Sequence, residues 1–184
     1  MLARATKLPG LLILEPKVYS DPRGYFFESW SDRRYAEHGV PTSFVQDNVS
    51  RSTRGTLRGL HLQAPPMEQG KLVSVLDGEV FDVVVDVRPG SPSFGQWLGE
   101  TLSASNARQL YVPPGFAHGF CVLSESALFA YKCTQYYSPQ AERALRWNDP
   151  EIGIAWPLAE PLLSDKDAAA PSLRELVRQL KQEG

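Results

Sequence analysis

Apolar residues along this chain recur mainly in short runs of period two. The segments 71–76, 79–87, 96–102, 109–112, 120–123 and 127–135 are rich in Val, Phe and Tyr. Asp77-Gly78, Pro89-Gly90 and Pro113-Pro114-Gly115 punctuate them. Short strands separated by such turn signals predict an antiparallel β-sandwich or barrel. Helical periodicity is scarce. Residues 32–38 predict a short helix closed by Gly39. At Ser172 the run Ser-Leu-Arg-Glu has capping-box spacing, and Leu173, Leu176, Val177 and Leu180 repeat on one face. That pattern predicts a peripheral C-terminal helix over about 172–182, bracing the outside of the β-structure. With no repeat or linker, the whole chain, 1–184, reads as one domain.

Within 79–87 the alternation sends Glu79, Phe81, Val83, Val85 and Val87 to one face. Val80, Asp82, Val84 and Asp86 go to the other. Neither face is simply solvated. A β-sandwich with polar groups on an inner face is a natural pocket, although Asp82 and Asp86 also read as ordinary partners of nearby arginines.

Composition narrows the classes of function. At 184 residues the chain is long enough to bury roughly 70% of its unfolded surface without disulfide staples. With 19 Lys+Arg against 21 Asp+Glu the net charge is −2, which gives no footprint for nucleic acid or an anionic membrane. Cys121 and Cys133 form neither a CxxC pair nor a secreted framework. The N-terminal apolar run, 11–14, is too short for a signal or a membrane span. Together these features predict a soluble, cytoplasmic protein.

The segment 55–88, GTLRGLHLQAPPMEQGKLVSVLDGEVFDVVVDVR, sets Arg58, His61 and Lys71 among β-forming residues. An anion clamp, a base titrating near neutrality and a compact cation suit chemistry on an anionic substrate. Taken singly, each has a plainer reading: a core or rim histidine, an ion-paired arginine, a solvent-facing lysine. In a regular strand Arg58 and His61 would point to opposite faces, so a shared pocket requires a bulge, with Gly59 its natural place. A metal site built on His61 and His118 is the rival. The chain's three histidines, His38, His61 and His118, include no HxH pair and have no carboxylate at ligand spacing. No Gly-rich motif precedes a helix to hold a nicotinamide cofactor.

Six segments carry a specific resemblance: QDNVSRSTRGTLRGLHLQ (46–63), QGKLV (69–73), VPPGFAHGF (112–120), YKCTQYYSPQAE (131–142), WNDPEIGIAWP (147–157) and SDKD (164–167). They resemble the dTDP-4-dehydrorhamnose 3,5-epimerase family, in order, over roughly four-fifths of the chain (21–167). Leu62 stands where that family usually has an aromatic, and Thr56 where it often has a small aliphatic residue. The resemblance implies a cupin-type jelly roll and a homodimer that exchanges N-terminal strands. It also implies no metal or other cofactor. The implied substrate is a dTDP-linked 4-keto-6-deoxyhexose epimerised next to its ketone, with His61 as base, Asp167 as its orienting carboxylate, Lys71 facing the enolate oxygen and Tyr131 as acid. Arg23 and Arg58 would meet the diphosphate. Tyr137 would stack on thymine, with Phe26 beside it. Glu28, Gln46, Asp47, Asn48, His118, Glu142 and Lys166 are the further implied substrate contacts, Arg23 and Glu28 reaching the neighbouring subunit's site. A monofunctional 3- or 5-epimerase, an inactive sugar-binding cupin and a metal-dependent cupin are the alternatives.

Overall fold

A computed structural model describes residues 1–183. Thirteen strands and three helices follow in chain order: β1 (Leu2–Ala5), β2 (Leu12–Glu15), β3 (Tyr19–Asp21), β4 (Gly24–Phe26), α1 (Asp32–Ala36), β5 (Gln46–Thr53), β6 (Leu57–Gln63), β7 (Lys71–Asp77), β8 (Glu79–Asp86), β9 (Trp97–Ser103), β10 (Gln109–Val112), β11 (Phe116–Val122), β12 (Ser126–Cys133), β13 (Glu142–Ala144), α2 (Asp165–Ala168) and α3 (Leu173–Glu183). Two antiparallel sheets face each other, one ordered β1-β2-β10-β7-β12-β5 and the other β13-β6-β11-β8-β9. A separate hairpin, β3-β4, stands apart. Among the described residues no helix is long and apolar enough to cross a membrane.

The turn signals act where they stand in the sequence. Asp77-Gly78 ends β7 in the first sheet and starts β8 in the second, so a single glycine carries the chain across the sandwich. Gly78 has φ +79°, and a Cβ there would lie 2.1 Å from the Ser126 carbonyl oxygen. Only glycine fits such a crossing.

Inward side chains of the two sheets, among them Val73, Val75, Val80, Val84, Leu110, Phe120 and Phe129, form the main core. The opposite face of β8 is also covered: Val83 and Val85 join Leu60, Leu62, Leu173 and Leu176 beneath α3. This is the two-sided burial that the alternation of 79–87 predicts. The α3 brace starts as expected, with Ser172 N–H donating to Glu175 Oε2 at 2.8 Å and Glu175 N–H donating to Ser172 Oγ at 3.4 Å. On the outer face of the first sheet, Tyr35 of α1 packs with Leu72 and Tyr111, and its hydroxyl donates to Gln109 Oε1 at 2.6 Å.

Two local expectations are corrected. The strand expected over 120–123 begins at Phe116, so His118 lies inside β11. Ala-His-Gly is a poor strand former on its own. Pairing with β8 on one side and β6 on the other overrides that preference. Asp86 does find its arginine, Arg88, but Asp82 pairs with His118, because β11 lies beside β8 and turns that ring toward the same interior.

Candidate active site

The apolar core gives way to polar groups at one end of the sandwich. Along β7 the inward positions run Val75, Val73, Lys71, and along β12 they run Ala127, Phe129, Tyr131. Lys71 and Tyr131 therefore descend from the first sheet. From the second sheet come Arg58 and His61, placed on the same side by the predicted irregularity. His118 pairs with His61 and Phe120 with Arg58, so three steps along β6 match two along β11. The extra residue is accommodated at Gly59, whose φ is +123°. A Cβ there would meet Gly119 Cα at 2.6 Å.

Asp167 reaches His61 from outside the sheets. Residues 162–168 are tied to the start of β6, with Leu57 N–H donating to the Leu162 carbonyl at 2.9 Å and Leu162 N–H donating to the Gly55 carbonyl at 2.8 Å. Ser164 then caps α2, its Oγ accepting from Asp167 N–H at 3.1 Å. The result is a 2.6 Å hydrogen bond between His61 Nε2 and Asp167 Oδ1. Burial pushes the Asp167 carboxyl up. Hydrogen bonds from His61, Ser164 and the Gly59 backbone outweigh it and hold the group below its ordinary value, so it is ionised at neutral pH.

Arg58, His61, Lys71, His118, Tyr131 and Asp167 line one cleft of about 460 Å³. A second cleft of about 330 Å³ shares His61, Lys71 and Tyr131 and adds Gln46, Asn48, Tyr137 and Glu142. These three shared side chains thus stand between two recesses. In the second, Tyr137 Oη donates to Glu142 Oε2 at 2.8 Å, and Lys166 Nζ lies 2.5 Å from the same oxygen. Gln46 Oε1 accepts from Tyr137 N–H at 2.9 Å, while Gln46 Nε2 donates to Asn48 Oδ1 at 3.0 Å. In the first, Arg58 Nε donates to Ser52 Oγ at 2.9 Å.

Burial shapes the electrostatics. It pushes the Tyr131 phenol above its ordinary value, which keeps that proton on at neutral pH. It pulls the Lys71 ammonium down, opposed by Cys133, Asp82 and Glu142. A base held by a carboxylate faces a protonated phenol and a lysine across one cleft, an arrangement suited to proton removal and return beside a carbonyl.

Four implied site residues stand elsewhere. Arg23, its side chain 90% exposed, pairs with Asp21 on the β3-β4 hairpin, where Phe26 is 69% exposed. Glu28 pairs with Arg34. Asp47 faces outward because Gln46 and Asn48 face inward on β5, and its carboxylate takes Lys132. Sequence reasoning missed Ser164, whose place one residue before Asp-Lys-Asp was the available capping signal, and the pairing of His118 with Asp82. Among the described residues no group of three or more His, Cys, Asp or Glu side chains is gathered as a metal site.

Comparison with known proteins places this chain and its fold among the sugar-nucleotide epimerases, isomerases built on a cupin-type jelly roll. The model of the dTDP-4-dehydrorhamnose 3,5-epimerase family matches residues 5–175, and the chain belongs to that family. It is 57% identical to a dTDP-4-dehydrorhamnose 3,5-epimerase of Pseudomonas aeruginosa over 169 residues, 91% of this chain and 93% of that one. A solved dTDP-6-deoxy-D-glucose-3,5-epimerase of Legionella pneumophila, in complex with dTDP-4-keto-L-rhamnose, superposes with a TM-score of 0.93 at 54% identity, covering 97% of this chain and 96% of that chain. A 4-keto-6-deoxy sugar epimerase from the novobiocin biosynthetic gene cluster of Streptomyces spheroides superposes at 0.94 with 39% identity, covering 98% and 91%.

Proposed function

We propose that this chain converts dTDP-4-dehydro-6-deoxy-α-D-glucose to dTDP-4-dehydro-β-L-rhamnose in dTDP-L-rhamnose biosynthesis, inverting C3 and C5. The observation that carries the reading is the opposition of His61, bonded to Asp167 on one side of the cleft, to Lys71 and Tyr131 from the facing sheet. Both target carbons flank the C4 ketone, so removing either proton gives an enolate whose charge rests on one oxygen. The His61 ring nitrogen not held by Asp167 takes the proton. Asp167 supports the imidazolium that forms, and Lys71 faces the enolate oxygen. Tyr131 returns a proton from the opposite face, which inverts the centre.

The same reading distributes the nucleotide along the two clefts. Arg58 meets the diphosphate, Tyr137 stacks on thymine, and Gln46, Asn48, His118, Glu142 and Lys166 complete the contacts. Arg23, Phe26 and Glu28 serve the site of a second copy in a homodimer that exchanges N-terminal strands. The exposure of Tyr19, Tyr25 and Phe26 on the hairpin supports that assignment, as does its separation from this chain's own cleft. Proton transfer alone suffices, so no cofactor enters, and the reaction belongs in the cytoplasm.

The test is incubation with the 4-keto nucleotide sugar in heavy water, with and without EDTA, followed by NMR. Deuterium at both C3 and C5 of an inverted product, unaffected by EDTA, is the expected result. One labelled and inverted carbon would make the protein a monofunctional epimerase. Loss of turnover in EDTA, restored by a single divalent ion, would overturn the mechanism.

A further inference from the structure

One buried charge has no part in the chemistry above. Asp82, fully buried on β8, faces the interior of the sandwich, and His118 Nε2 bonds both of its carboxylate oxygens at 3.0 Å. His118 lines the same cleft as Lys71. Gly78 carries the chain from β7 to β8 in the facing sheet, and Val73 and Val75 share one core cluster with Val80 and Val84, so the inward row of β7 that ends in Lys71 and the inward row of β8 that holds Asp82 border the same interior. Lys71 forms no ion pair within 4.0 Å of any described carboxylate. A buried carboxylate held only by a histidine and a half-buried ammonium with no direct partner are each costly alone. Near each other, each offsets part of the other's cost.

We propose that Asp82 is a positioning residue for Lys71, supplying its counter-charge from within the core while leaving all three of its N–H groups free for the substrate's oxygen. A direct salt bridge would occupy those donors and compete with the developing oxyanion. A carboxylate held back by His118 offsets desolvation of the lysine without doing so. The proposal rests on the reading of Lys71 as the enolate-facing group.

The other groups facing Lys71 do not fill this role. Glu142 of β13 already takes Tyr137 and Lys166 on one oxygen, and Asp167 of α2 takes His61. Cys133 and Tyr131 of β12 are both pushed up by burial and carry no charge at neutral pH. Arg58 and His61 of β6 bring no negative charge, nor does His118 of β11. Burial holds Asp82 above its ordinary value, with His118 and Lys71 opposing it only in part, and Asp82 is among the groups that oppose the lowering of Lys71 by burial.

Asp82→Asn keeps the shape and an acceptor for His118 while removing the charge. With the full chain carrying ¹³Cε-labelled lysine, and Lys71→Met used to assign the signal, NMR follows the titration of Lys71 in the absence of substrate. The expected result is a midpoint about one pH unit or more lower in Asp82→Asn, with the alkaline limb of kcat displaced equally and KM within about twofold. An unmoved Lys71 titration would overturn the proposal, as would a lower kcat with an unmoved alkaline limb, the signature of a merely structural role. Should Asp82→Asn fail to fold, the reciprocal measurement decides, because coupling between two charges acts equally on both. In Lys71→Met the ¹³Cγ signal of Asp82 should titrate at least about one pH unit higher, and no displacement there would refute the idea. These titrations need no turnover, so their failure is distinct from a failure of heavy-water exchange.

Discussion

Replacing Asp167 by Asn tests the orienting carboxylate with little disturbance of shape. The amide occupies the same volume at the end of α2, and the Ser164 cap binds the backbone and is retained. What disappears is the negative charge 2.6 Å from His61 Nε2, in a side chain 6% exposed. With charge centres about 4 Å apart and an effective dielectric near 20, the attraction for a forming imidazolium is about 4 kcal/mol. That energy acts in the transition state, where His61 takes up the proton leaving the sugar. It corresponds to about three decades in rate. Residual hydrogen bonding by the amide returns part of it, so kcat should fall by about two to three decades while KM changes by less than about threefold. Initial rates of deuterium entry, measured by NMR across a range of substrate concentrations, separate the two parameters. A change in KM alone, or a kcat within about fivefold of the parent, would refute the assignment and make Asp167 a binding residue.

Changing His61→Asn should abolish deuterium entry at both C3 and C5, and persistent exchange at either carbon would reveal a second base. A mixture of His61→Asn and Arg23→Ala chains, each inactive alone, should regain activity on subunit exchange, because a mixed dimer holds one site with both residues intact. No recovery in proven mixed dimers would place Arg23 outside the partner's site. At Asp86, burial alone would raise the carboxyl, but bonds from Arg88, Ser91 and Ser93 bring it down to about 2. A folded-state value below the unfolded one stabilises the protein above the ordinary carboxylate range, and the benefit is lost as pH falls toward 2. Asp86→Asn should therefore cost about 2 kcal/mol at pH 7 and flatten the urea midpoint between roughly pH 4 and pH 2. Gly59→Ala, with a Cβ 2.6 Å from Gly119 Cα at φ +123°, should lower stability by about 3 kcal/mol, read as a fall in Tm.

The sequence made the centre of the sandwich legible because its strands carry clean alternation between strong turn signals, as 79–87 does between Asp77-Gly78 and Pro89-Gly90. The edges were harder to read. Leu2–Ala5 and Leu12–Glu15 are four-residue strands whose identity depends on a neighbour, and Phe116–Val122 contains Ala-His-Gly, which only cross-strand pairing makes extended. Arg58 and His61 could be joined in one pocket only by supposing a bulge at Gly59, and the shift in register between β6 and β11 supplies it. Asp167 lies 106 residues from its histidine. No periodicity links such distant positions, so their pairing came from the family resemblance. Asp82 was read as the partner of a nearby arginine, but its partner is His118, on a strand whose extent local propensity hid.

The central claim is that the proton leaves on one face of the sugar and returns on the other, from two sheets of one sandwich. Tyr131→Phe keeps the ring and deletes only the phenolic proton, so in heavy water it interrogates that claim most directly. With His61 still forming the enolate, the variant should exchange deuterium into unreacted sugar with retained configuration, most clearly at C5, while inverted product falls by about two to four decades. Inversion at C5 at the parent rate would contradict the account and move the acid elsewhere, with Tyr137 the next hydroxyl on the second cleft.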